Sequence, residues 1–395
     1  METLTLTNSL NPSPNSKNSR VPLQPRISNR KGSQRLKNGN FNDTQLAKVH
    51  SETKAQSFRP NCASLSALML YYAQNGNFSN AQALWGEIIS SSYKPSIEIV
   101  SALMDVYAKF GEFDEIVRIV QESVYRDFGS ELGIYSLAVS CFGESGQLNM
   151  MEDIIKIMVS RGLKVDSLIG NAFVKYYSMF GSLEEMEVAY HRMKRSRILI
   201  EEEAIRAVAR AYISEKKFYK LGEFLRDVGL GRRNTGNLLW NLLLLSYAAN
   251  FKMKSLQREF LNMVEAGFRP DLTTFNVRAL AFSRMCMFWD LHLSIVHMKH
   301  EGLVPDLVTY GCVVDLYLER RLGRNLSFAL DELDGESSPV VETDLLVFDV
   351  FGKGDFHSSS EVVLESSKRR EWTYSKLVKM YLKKQYRRNQ IFWNY

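Results

Sequence analysis

The sequence predicts an all-α fold: a superhelical solenoid of helix–turn–helix units, each 35 residues long. Three observations carry this prediction. The phrases EAGFRPDLTTFN (265–276) and HEGLVPDLVTYG (300–311) are near copies set 35 residues apart. Gly76, Gly111, Gly146 and Gly181 recur at the same step with no slippage. Inside each step the apolar residues follow a helical period, break, and follow it again. A period of about 20 to 50 residues marks stacked supersecondary units, because one helix pair cannot bury both its faces and a row of pairs can.

The elements follow in order along the chain. Residues 1–45 stand apart from the repeats. The first 42 are rich in Ser, Thr and Asn, contain Pro12, Pro14, Pro22 and Pro25, and hold seven Lys/Arg against the single acid Glu2. That is the composition of an organellar transit peptide or a disordered basic tail, and it lacks a secretory apolar core. Scattered prolines and asparagines would break an amphipathic helix, which favours a chloroplast address over a mitochondrial one.

Seven units then run without insertion: 62–96, 97–131, 132–166, 167–201, 202–236, 237–271 and 272–306. In the first, Leu65, Leu68, Met69 and Tyr72 occupy one helical face. Gly76 ends that helix, and Phe78, Ala81, Leu84, Trp85 and Ile88 restart the period. Pro95 closes the unit because proline cannot continue a helix, and Pro270 and Pro305 do the same further on. The fifth unit departs most: Lys216 stands at the turn glycine's place, and GLGRRNTG (229–236) replaces the closing proline. Residues 307–333 begin an eighth unit. Residues 334–360 have the composition of a loop, and 361–395 that of a basic, aromatic C-terminal helix or tail.

The period, the opening Val/Leu-x-Thr-Tyr/Phe, the turn glycine and the closing Gly-x-x-Pro-Asp together resemble the pentatricopeptide repeat. The resemblance covers about residues 62–333 and is most specific in the sixth to eighth units. The uniform 35-residue units are similar to the P class, since the editing class alternates lengths. The Trp-x-x-Leu-Gly-x-x-Tyr opening of the 34-residue tetratricopeptide repeat is missing.

The resemblance implies single-stranded RNA as partner, with one base taken per unit. In that family the second residue of a unit stacks on the base, and the fifth and last residues contact its edge. Carried over, the sixth unit offers Leu238, Asn241 and Asp271, and the seventh Thr273, Asn276 and Asp306, a combination that goes with uracil. The fourth offers Leu168, Asn171 and Glu201, at best a pyrimidine preference. The third offers Ser136 with Asp166, similar to a guanine pair, but Gly133 gives no stacking surface. Val308 holds the stacking place of the partial eighth unit. Ser66 with Ser96, Ser101 with Glu131, and Arg206 with Gly236 match no common pair, and Glu98 and Glu203 at stacking places would repel phosphate. An amide carries both a donor and an acceptor for a base edge. The same asparagines could equally serve as helix caps, and the serines as small residues that let helices approach.

Net charge is +6, yet its distribution is uneven. Residues 1–42 carry +6 and residues 368–395 carry +8, nine Lys/Arg against Glu371, so the body between is negative by 8. Non-specific phosphate attraction to the repeats should therefore be modest. The tail interleaves its cations with Trp372, Tyr374, Tyr381, Tyr386, Phe392 and Trp393. That pattern suits single-stranded RNA, and it equally suits a helix that caps the last unit through Leu377, Val378 and Tyr381.

No catalytic constellation stands out. There is no GxxxxGK[ST], no HExxH and no H-x-E with P-C-x-x-C of the zinc deaminases. His292, His297 and His300 lack metal-pair spacing, and Cys62, Cys141, Cys286 and Cys312 lack CxxC spacing. No cofactor, metal or enzymatic activity is expected, and no apolar run approaches the roughly 18 residues needed to span a bilayer. The expectation is a chloroplast stromal protein that binds single-stranded organellar RNA and promotes transcript processing, group II intron splicing above all, together with other plastid RNA-processing proteins. RNA-end stabilisation, translation activation and a protein-interaction scaffold are the alternatives.

Overall fold

The structure, a computed structural model, describes residues 62–91, 93–126, 131–331, 333–366 and 371–391, the last six by backbone alone. The expected transit segment 1–45, the Tyr386 side chain, Phe392 and Trp393 lie outside these. All described residues belong to one compact unit, Asn61–Tyr395.

Helices alternate along the chain, and no strand occurs among the described residues. The first helices of the eight units are Cys62–Gln74, Ile97–Phe110, Glu131–Glu144, Ser167–Phe180, Glu202–Ser214, Leu238–Ala249, Leu272–Arg284 and Leu307–Glu319. The second helices are Phe78–Ser90, Phe113–Tyr125, Leu148–Ser160, Leu183–Arg195, Phe218–Val228, Met253–Glu265 and Phe288–His300, with the short Leu326–Asp331 in the eighth unit. The seven full second helices all begin at the same phase of the 35-residue step. Each first helix packs on its own second helix, and first helices also pack on one another from unit to unit. Buried Trp85, Tyr107, Phe142, Phe275 and Phe282 fill the layer between them. Fully burying one such side chain contributes about 1.5–3 kcal/mol.

Packing between neighbouring first helices is weakest where the fifth unit meets the sixth. There Glu202–Ser214 and Leu238–Ala249 both lean on a short helix from the C-terminal region, Leu346–Phe351. This is the junction spanned by GLGRRNTG.

The turn between paired helices keeps its shape after glycine is lost. Gly76, Gly111 and Gly146 hold φ of 76°, 81° and 72°. Gly181, expected to do the same, takes φ −87°, which any residue adopts. At the next four steps Lys216, Phe251, Cys286 and Arg321 hold φ of 55°, 53°, 55° and 58°. A side chain in that left-handed region costs about 1–2 kcal/mol, so packing on either side imposes the turn.

The expected loop over 334–360 is corrected by the structure. It contains the helix Leu346–Phe351 and the start of a second, Asp355–Ser366. Leu346 and Val347 are buried, which gives the run LLVFDVF a reason to be helical despite its Gly/Ser/acidic flanks, and Phe356 is buried in the second helix. The Asp315 carboxylate accepts from the amides of Asp355 and Phe356 at 3.0 and 2.9 Å and so seats the start of the second helix. The last helix, Tyr374–Ile391, packs on the first helix of the eighth unit, with the Tyr310 and Tyr374 rings stacked at 3.8 Å. Leu377, Val378 and Tyr381 are buried there.

Candidate nucleic-acid interface

The sixth and seventh units build the same polar edge 35 residues apart. In the sixth, Asp271 caps the helix Leu272–Arg284: its Oδ1 accepts from Thr274 N at 2.8 Å, and its own amide donates to Thr274 Oγ1 at 3.1 Å. Asn241 Nδ2 donates to both Asp271 oxygens at 3.1 and 3.2 Å. Thr274 Oγ1 donates to Asn241 Oδ1 at 2.6 Å, which fixes the orientation of the amide. An asparagine amide has two N–H donors and two lone pairs. This arrangement fixes the Asn241 amide, which is 8% exposed, against the carboxylate and the hydroxyl.

In the seventh unit Asp306 caps Leu307–Glu319 with Thr309, Asn276 Nδ2 donates to Asp306 Oδ1 at 2.8 Å, and Thr309 Oγ1 donates to Asn276 Oδ1 at 2.7 Å. Here the edge is already filled. Thr343 Oγ1 accepts the second N–H of Asn276 at 2.7 Å and donates to Asp306 Oδ2 at 2.8 Å. The amides of Glu342 and Thr343 reach the same oxygen at 3.2 and 3.3 Å. Asn276 and Asp306 are both 0% exposed in consequence.

The remaining expected residues divide clearly. Leu168 is 63% exposed and presents a free apolar face. Leu238, Thr273 and Val308 are buried and present none, and the Thr273 hydroxyl accepts from the Asp344 amide at 3.0 Å. Asn171 is spent inside the protein: its Nδ2 donates to the carbonyls of Ser167 and Leu199 at 2.9 and 3.0 Å, and its Oδ1 accepts from the Glu201 amide at 2.6 Å. The Glu201 carboxylate accepts from Ser167 Oγ at 2.5 Å. Ser136 is buried, while Asp166 caps the helix Ser167–Phe180 through Ile169 N at 2.9 Å; no hydrogen bond joins the two among the described residues. Two of the four expected pairs, Asn241–Asp271 and Asn276–Asp306, are thus held together side chain to side chain.

Sequence reasoning passed over Thr274, Thr309 and Arg210, and gave Arg206 no partner but Gly236. The two threonines were visible in the repeated phrase, three residues after each aspartate, the spacing of a capping box. Arg206 donates to Glu202 at 2.9 Å and also pairs with Asp344; Arg210 donates to Asp349 at 3.3 Å. Nothing in the sequence paired residues 138 and 139 positions apart. The repulsive carboxylate expected at Glu203 is offset by Lys175 at 2.8 Å, which lowers its pKa.

Between the eighth unit and the C-terminal helices lies a cavity of about 710 Å³ lined by Arg284, Asp315, Arg321, Lys353 and Asp355, among others. Burial pushes the Asp315 carboxyl up to about 6. No group of three metal-ligating side chains stands together among the described residues. His292 meets the Tyr317 hydroxyl at 2.8 Å, and His297 packs edge-on to Phe260 and Phe275. No described helix is long and apolar enough to cross a membrane.

The chain is similar to several known proteins. The model of the pentatricopeptide repeat matches residues 98–128 and 133–163. A chloroplastic pentatricopeptide repeat-containing protein of Arabidopsis thaliana is 31% identical over 184 residues, 45% of this chain and 37% of that protein. A second chloroplastic one from the same plant is 28% identical over 144 residues, 36% of this chain and 28% of its own length. The chain therefore spans well under half of these relatives. Among solved structures, the maize pentatricopeptide repeat protein PPR10 aligns over 82% of this chain and 65% of its own at 14% identity and a TM-score of 0.39. The nuclear proteinaceous RNase P 2 of Arabidopsis thaliana aligns over 43% of this chain and 38% of its own, at 18% identity and a TM-score of 0.33.

Proposed function

We propose that the chain is a pentatricopeptide repeat protein that binds single-stranded organellar RNA in the chloroplast stroma and promotes transcript processing there. The observation that carries this reading is the doubled Asn–Asp–Thr edge. Asn241 with Asp271 and Asn276 with Asp306 hold an amide against a carboxylate at one phase of the repeat, each amide oriented by a threonine hydroxyl at 2.6 or 2.7 Å. A preorganised donor beside an acceptor is what the edge of a uracil requires, and its prior ordering lowers the cost of binding. In the seventh unit a threonine hydroxyl, itself a donor and an acceptor, already satisfies that edge.

The chain acts by binding and not by bond chemistry. Two or three base-contacting units address about one in 16 to one in 64 positions of a transcript, far too many for a unique site. Neighbouring RNA-processing proteins must supply the rest by linked weak contacts, which raise effective concentration. That requirement favours a role inside a multi-component reaction, group II intron splicing, over stabilising an RNA end or activating translation alone.

The reading is tested by sequencing RNA that co-purifies with the tagged chain from chloroplasts. Enrichment of one intron, lost in N241A, supports it. Recovery of protein partners with no enriched RNA would replace it with a helical interaction scaffold.

A further inference from the structure

We infer that residues 339–351 are a built-in competitor for RNA: a peptide of the same chain that lies in the base-contacting groove across units five to seven and closes it. This rests on the RNA-binding reading above and adds to it where RNA is kept out. The segment makes the two kinds of contact that RNA would make. At the base-edge positions, Thr343 Oγ1 accepts from the Asn276 amide and donates to Asp306, and the Glu342 and Thr343 amides donate to the same carboxylate. Over the fifth unit, Asp344 pairs with Arg206, which holds that unit's base-edge place, and one turn on Asp349 accepts from Arg210 at 3.3 Å, as a backbone phosphate would. The guanidinium fork serves carboxylate and phosphate alike.

The path of the segment follows the groove. Val340 O accepts from Leu307 N at 3.0 Å at the start of the eighth unit's first helix. Asp344 N donates to Thr273, and Phe351 O accepts from Arg284 Nη2 at 2.6 Å. Thr273 and Arg284 lie near opposite ends of Leu272–Arg284, so the segment runs along that first helix. Leu346 and Val347, 2% and 1% exposed, anchor it in the seam where the first helices of units five and six hardly touch. Arg206, Asn241 and Asn276 occupy the same place in three successive units, and the segment bridges the outer two. While it is seated, the polar groups of units five and seven are taken, and unit six, whose Asn241 it does not hydrogen-bond, lies between them.

The test compares the full chain with two opened forms, one with residues 339–351 replaced by a Gly/Ser linker of equal length and one carrying T343A, D344N and D349N with both apolar anchors kept. The probes are labelled sixteen-nucleotide oligouridine and oligoadenosine, with thermal melts as the folding control. If the groove is free about a tenth of the time or less, a folded opened form binds oligouridine at least ~10-fold tighter than the wild type, with a smaller change for oligoadenosine. A synthetic 339–351 peptide added in trans then displaces oligouridine from the opened chain. Folded variants that bind both probes as the wild type does overturn the competitor and leave RNA binding intact. Failure of all three proteins to bind either probe overturns the RNA reading, and the competitor with it.

Discussion

Replacing Asp306 by alanine should destabilise the C-terminal units far more than replacing Asp271, although the two aspartates hold the same place in consecutive repeats. Each caps a helix through a capping box and each accepts from an asparagine amide. Asp271 is partly exposed, so the donors left behind by D271A can turn to water, and the loss is that of an N-cap, about 1–2 kcal/mol. Asp306 is fully buried and its Oδ2 also takes the Glu342 amide, the Thr343 amide and the Thr343 hydroxyl. D306A strands those donors in the interior at about 1–3 kcal/mol each before relaxation, so its total should reach about 3–5 kcal/mol. A stacked array melts in parts, so the loss is best read locally, as hydrogen exchange of Leu272–Arg284 and Leu307–Glu319 across a urea series. The same contacts predict coupling: T343A should cost about 1–2 kcal/mol in the wild type and well under 1 kcal/mol in D306A. Equal losses for D306A and D271A, or a T343A cost that D306A leaves unchanged, would refute the placement of residues 342–343 on this carboxylate.

Three further outcomes follow from single sites. A Cβ at Gly143 would overlap the Tyr176 ring, so G143A should destabilise by about 1–3 kcal/mol in urea melts, and pairing it with Y176L should recover part of the loss. Lys216 is exposed at φ 55°, so K216G should stabilise by up to about 1 kcal/mol; a destabilised variant would mean the side chain holds the turn. Burial raises Asp315 to about 6, so the folded state favours its protonated form: the penalty is absent below about pH 4, complete above about pH 6, and stability falls by up to ~3 kcal/mol as pH rises between. D315N should flatten that slope. His357, whose pKa burial lowers, loses stability as pH falls below about 6.5, the opposite sign, but it is common to both proteins and cancels in the difference curve.

The repeat was legible because its signals are local and recur: two apolar helical stripes, a turn and a closing proline at one phase. The conformation at that turn outlasted its glycine, which sequence alone does not show, since Phe251 and Cys286 carry no mark of a left-handed backbone. The Asn–Asp pairs were legible as positions one unit apart. Their accessibility was not, because it depends on Thr343 and Asp344, which reach Asn276 and Arg206 across 67 and 138 residues of chain. Leu238, Thr273 and Val308 share the stacking phase with Leu168, yet only Leu168 keeps an open face. The apolar run LLVFDVF was masked by its acidic and Gly/Ser surroundings, and its burial is decided by the seam between units five and six rather than by anything within the run.

The central claim, that this chain contacts RNA bases through fixed side-chain edges, is tested most directly by the affinity of the opened full chain for oligouridine with and without Asn241→Ala. The Asn241 side chain hydrogen-bonds Asp271 and Thr274 and no residue of 339–351 among the described residues. Base-edge contact predicts that N241A weakens oligouridine binding by about 1–2 kcal/mol, roughly 5- to 30-fold, while binding to oligoadenosine changes little. Equal weakening of both RNAs, or none, would contradict it and leave phosphate attraction or protein contact as what these repeats provide.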